Sequence, residues 1–134
     1  VYFSSDVANP DTYSHFYTDM QMYTITMGEP DPGVFMRQFV SWEVASKANK
    51  WQGRNIVRWR NDEYDKAFRD AENELDPVKR AALFIKMNDL VINGQSVIPV
   101  VYRPAVSAMS HQLRASLSGW DNVLSDLRNW YRET

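Results

Sequence analysis

"NDEYDKAFRDAENELDPVKRAALFIKMNDLVING", residues 61–94, decides the fold. Tyr64, Ala67, Phe68, Ala71 and Leu75 keep the i, i+3, i+4 rhythm of a helix with one buried face. Asn61 is placed to cap its start. Asp76 and Pro77 stop that helix and begin another, since proline suits the first helical position. From Pro77 to Asn93, Val78, Ala81, Ala82, Phe84, Ile85, Leu90 and Val91 give the second helix a broad apolar side. Gly94 follows as an expected left-handed cap. The mixed charges of residues 60–80 read as a solvated, salt-bridge-laced face.

Outward from this hairpin, residues 96–109, "SVIPVVYRPAVSAM", form a β-branched run expected to be a buried strand. Pro99 and Pro104 limit its ladder pairing. Upstream, residues 19–26, "DMQMYTIT", alternate. Met20, Met22 and Thr24 share one face and Gln21, Tyr23 and Ile25 the other, as in a strand. Asp31 and Pro32 then open a helix whose apolar face is Phe35, Phe39, Trp42 and Ala45. Residues 4–13 and 46–55 are polar and turn-rich, and the last eighteen residues mix loop, short strand and short helix. Strand, helix, helix, strand is an α/β order. In open sheets of that kind, ligands sit beyond the carboxyl ends of strands. The turn after residue 26 is such a place, which singles out Thr26, Met27 and Glu29.

The 134 residues are 44% hydrophobic and 24% charged, enough for one core. A net charge of -2 gives no basic field for nucleic acid. Ten arginines against five lysines favour planar, bidentate contacts, although single arginines are ordinarily solvated. With no cysteine, disulfides and thiolate metal sites are excluded. His15 and His111 lie far apart, without zinc-ligand spacing. Ser118 lacks the glycine pattern of a nucleophile elbow, and five glycines make no phosphate loop. No catalytic residue, metal ligand or cofactor site is therefore expected. The abrupt, strand-like opening at Val1, without a methionine, predicts a chain cut from something longer.

In their order and spacing these pieces resemble the C-terminal region of dipeptide and oligopeptide substrate-binding proteins of ABC importers, solute-binding family 5. Asn55, Trp59, Asn61, Tyr64 and Asp65 match its N-x-x-x-[YW]-x-[NS]-x-x-[FY]-D stretch. Asp76 and Arg80 match a helical D-x-x-x-R, and Ile98, Pro99 and Val100 match I-P-[LV]. Tyr23, Glu29 and Pro30 match a strand-end aromatic followed by [DE]-P. The resemblance covers residues 1–120. It implies part of the C-terminal lobe of a two-lobed, periplasmic-binding-protein-like (type II, peptide-binding) fold. Residues 121–134 would be a tail returning to the other lobe, and any signal peptide or lipid anchor would lie upstream.

By resemblance, the chain captures a peptide or related small polar solute in the periplasm, or otherwise outside the cytoplasm, and delivers it to permease subunits without catalysis. Tyr23 would wall the pocket. Thr26 stands where peptide binders carry an aspartate for the ligand's ammonium, and a hydroxyl cannot supply that charge. Glu29 at the [DE]-P position would be structural. Arg54 and Asn55 lie in a loop where family members contact ligand, and Arg103 could reach the cleft and take a carboxylate. Two other readings stand beside this one. The chain could be a protein-interaction domain without a small-molecule ligand, its apolar surface leading to self-association. A hydrolase fragment is disfavoured, because no nucleophile–base arrangement is present.

Overall fold

A computed structural model describes residues 6, 9–102, 104, 106–116 and 126–133. Three helices carry the core: α1 (Pro32–Met36), α2 (Asp62–Asn73) and α3 (Pro77–Asn93). Near the end, β1 (Leu113–Arg114) pairs antiparallel with β2 (Tyr131–Arg132), with Leu113 opposite Arg132 and Arg114 opposite Tyr131.

The hairpin forms where the residues put it. Asn61 accepts a hydrogen bond from the Tyr64 amide at 2.9 Å, and Asp62, Glu63 and Asp65 place negative charge in the first turn. Asp76 caps α3 through the Val78 and Lys79 amides, with Pro77 at its head. Tyr64, Ala67, Phe68 and Ala71 of α2 then bury against Phe84, Met87 and Val91 of α3. Met36, Phe39 and Val40 close this core from the α1 side. The charged stretch does carry surface pairs, Lys66 with Asp70 and Lys86 with Glu63. Val78, Ile85 and Leu75, expected on apolar faces, are exposed.

Four local expectations are corrected. The first concerns the helix opening at Asp31, which does not run to Ala45. Asp31 does cap it, accepting from the Gly33 amide at 2.7 Å. After Met36, however, the chain tightens into 3-10 turns at Arg37–Phe39 and Ser41–Glu43. Two groups on α2 interrupt it. The Tyr64 hydroxyl donates to the Met36 carbonyl at 2.6 Å, and the buried Asp65 carboxylate accepts from the Ser41 amide at 2.9 Å. Those backbone groups are thereby drawn out of the helical ladder.

The second and third corrections concern the expected strands. Residues 20–28 form neither helix nor ladder. The period of two survives in burial only over 20–24, where Gln21 and Tyr23 are half-buried while Met20 and Met22 face solvent; Ile25, expected on the face of Gln21 and Tyr23, is exposed. The described part of 96–109 likewise forms neither helix nor ladder, and it is not buried; Tyr102 is 90% exposed. Alternation and β-branching favour an extended chain, but a ladder also needs a neighbouring strand.

The fourth correction concerns Gly94, which is right-handed (φ -72°, ψ -6°); Gln95 takes the left-handed step at φ 51°. Glycine is suited to position 94 for another reason. A Cβ there would stand 2.9 Å from Trp59 Nε1 and 3.0 Å from the Leu90 carbonyl.

Candidate functional site

Between the segment 23–29 and the loop 51–54 lies a concavity of about 670 Å³. The start of α1, with Val34, Phe35 and Gln38, forms its third side. That volume lies within the usual range of roughly 300–1,000 Å³ for small-ligand clefts.

Each wall has an identifiable local cause. Tyr23 is held against Tyr13, their ring centroids 6.2 Å apart, and Gln21 Nε2 donates to the Tyr13 carbonyl at 2.9 Å. The opposite wall rests on a single parallel bridge between Val44 and Asn55. In it the Asn55 amide donates to the Glu43 carbonyl at 2.8 Å, and the Ala45 amide to the Asn55 carbonyl at 3.0 Å. Gly53 allows these backbones to meet, because a Cβ there would be 2.2 Å from the Glu43 carbonyl oxygen.

Arg58 joins this loop to the N-terminal residues. Its guanidinium donates to the carbonyls of Ala45, Phe16 and His15, two of them more than forty positions away in sequence. It also lies 5.5 Å over the Trp51 ring. His15 is buried beneath. Its Nδ1 is 2.8 Å from the Thr12 hydroxyl, and its ring packs 4.6 Å from Trp51 and 5.4 Å from Tyr17. Lys50, Trp51, Arg58 and Phe16 all have left-handed backbones, with φ between 45° and 61°. That conformation is uncommon for residues with a side chain.

The structure brings Tyr23, Thr26, Met27 and Arg54 to one cleft. Asn55 is not with them. Its side chain is fully buried behind the wall, and its Nδ2 donates to the carbonyls of Val40 (3.0 Å) and Trp59 (2.9 Å). A group so occupied shapes the loop and does not reach a ligand. Arg103 lies outside the described residues. Sequence reasoning missed Trp51 and Arg58; a lone tryptophan inside the otherwise polar run 46–55 was the available signal. It also gave Glu29 a structural role, whereas Asp31 holds that role by capping α1 and pairing with Arg80 at 2.8 Å. Among the described residues, no group of three or more His, Cys, Asp or Glu side chains could hold a metal. Likewise, no helix there is long and apolar enough to cross a membrane.

A 60-residue stretch of the chain is 33% identical to the dipeptide-binding protein DppE of Bacillus subtilis (strain 168). The match spans 45% of this chain and 11% of that protein, so the chain aligns with about a tenth of the relative's length. No protein-family profile matches the chain, and no solved structure matches it.

Proposed function

We propose that the chain contributes one wall of a peptide-binding clamp. In this reading it belongs to a substrate-binding protein of an ABC importer, acts outside the cytoplasm, and presents its ligand to permease subunits without transforming it. The observation that carries the reading is the stretch of identity to a dipeptide-binding protein. The cleft adds physical support. Tyr23, Tyr13 and Trp51 offer apolar faces, while Thr26, Gln38 and Gln52 offer hydrogen bonds. That is the composition by which an enclosing site holds a small polar solute. Two lobes closing over the ligand would remove it from water.

Thermal unfolding of the natural full-length chain that carries these residues, with a panel of di- to pentapeptides, sugars, opines and nickel, tests the reading. Peptides are expected to raise the melting temperature in proportion to the logarithm of their concentration. A flat response to every peptide would overturn it.

One observation favours a second reading, a docking domain without a small-molecule ligand. Ile98, Val100, Val101, Tyr102 and Val106 are all exposed, an apolar stretch of the kind that packs on another surface. Sedimentation of the 134-residue chain distinguishes the two. Concentration-dependent association, with no response to any solute, would favour docking.

A further inference from the structure

The six methionines of the chain divide by exposure. Met36 and Met87 are buried in the helical core, and Met27 is half-buried where it lines the cleft. Met20 and Met22, by contrast, are 78% and 84% exposed, and Met109 is 43% exposed. The two most exposed thioethers thus stand two residues apart, on the segment that continues into the cleft wall at Tyr23 and Met27. Local contacts hold them outward. Gln21 Nε2 donates to the Tyr13 carbonyl at 2.9 Å, and Tyr23 packs on the Tyr13 ring. The Thr18 hydroxyl donates to the Met20 carbonyl at 2.8 Å. With Gln21 and Tyr23 tied inward, the side chains that alternate with them are left to solvent. An apolar side chain gains nothing from facing water, so packing does not account for methionine at either position.

From this arrangement we infer that Met20 and Met22 form an oxidant-accepting modification site, which consumes a two-electron oxidant of the hypochlorous acid class before Met27 is reached. The inference goes beyond the peptide reading and does not depend on it. In the step, the thioether lone pair takes chlorine from hypochlorous acid and releases hydroxide. Water then attacks the sulfur, an S–O bond forms and chloride leaves. Sulfur loses two electrons and chlorine gains them; the net products are the sulfoxide, chloride and one proton. Accessibility orders such oxidations among thioethers. A sulfoxide at Met20 or Met22 places its new dipole in water and disturbs no packing. The same oxygen on Met27 would turn an apolar part of the cleft wall polar. A limiting oxidant consumed at the exposed pair therefore leaves the chemistry of the cleft unchanged.

The test treats the natural full-length chain with about two molar equivalents of hypochlorous acid, one per thioether of the pair, and maps sulfoxides by peptide mass spectrometry. Sulfoxide at Met20 and at Met22 is expected to exceed that at Met27 by about threefold or more, with Met36 and Met87 unmodified. In M20L/M22L, the same dose should raise the Met27 sulfoxide by about twofold or more. Leucine keeps the apolar bulk and neither side chain packs in the core, so the urea midpoint of the double variant should match wild type. M109L, which removes the third exposed thioether from outside this segment, should raise the Met27 sulfoxide less. If Met27 is oxidised as readily as Met20 and Met22 in the wild type, the inference is overturned. It is equally overturned if M20L/M22L raises Met27 oxidation no more than M109L does.

Discussion

Replacing Gly53 with alanine should be among the most damaging single-methyl changes in the chain. The new Cβ would stand 2.2 Å from the Glu43 carbonyl oxygen and 2.7 Å from both the Ala45 nitrogen and the Val44 carbonyl carbon. All three neighbours are backbone, so no side chain can swing aside. The 43–45 segment must retreat by roughly an ångström, and the two hydrogen bonds of the Val44–Asn55 bridge break. Those bonds contribute about 1 kcal/mol each, and overpacking adds about 1–3 kcal/mol. Together the expected loss is about 3–5 kcal/mol. The usual effect of Gly→Ala at a compatible site is a gain of about 0.4–1 kcal/mol, so the sign itself is diagnostic. Gly28 provides the control, since a Cβ there meets nothing within 4 Å and its φ is not positive. Urea unfolding followed by tryptophan fluorescence should show G53A strongly destabilised and G28A neutral or slightly stabilised. If G53A lies within about 0.5 kcal/mol of wild type, the close backbone approach does not support this wall.

Two further outcomes follow from buried polar groups. Burial pushes the Tyr64 phenol well above its ordinary value, and the Asp65 carboxylate beside it adds to the rise. The unfolded state therefore releases this proton first, so the contribution of Tyr64 is complete below about pH 10 and declines as pH climbs beyond it. Y64F should lose about 1–3 kcal/mol at neutral pH, because the Met36 carbonyl is left without its donor, yet its stability should fall less between pH 10 and 12. Denaturation midpoints across that range check this; parallel curves for the two proteins would refute it. N55A should lower stability by about 2–3 kcal/mol through the bonds to Val40 and Trp59. Abolished peptide binding in N55A with an unchanged unfolding midpoint would instead restore the ligand role that the sequence suggested.

The α2–α3 hairpin was legible because its determinants are local. Asn61, Asp76 and Pro77 act within one turn of themselves, and the apolar spacing needs no knowledge of distant residues. The truncation of α1 was not, since it depends on Tyr64 and Asp65, about 24 to 28 positions away. Alternation in 19–26 and β-branching in 96–109 suggested strands that the fold does not form, because pairing is a property of two segments and cannot be read from one. In the site, Thr26 and Met27 came from the turn expected after a strand and Tyr23 from the family resemblance, and all three line the cleft. Arg58 could not be found that way, because its three acceptors meet only in the folded chain. Asn55 was misassigned for the opposite reason. Its polarity suggested an outward role, while the fold spends both amide donors inward.

The grip of Arg58 on the carbonyls of His15, Phe16 and Ala45 gives the two ends of this chain's architecture different solvents to fear. The helical hairpin is cemented by hydrocarbon, but the rim is cemented by one guanidinium among peptide oxygens. Dissolved guanidinium chloride presents those oxygens with the same donor in molar excess. Amide exchange in that salt should therefore accelerate first at residues 15–16 and 45, while the protons of α2 and α3 stay locked.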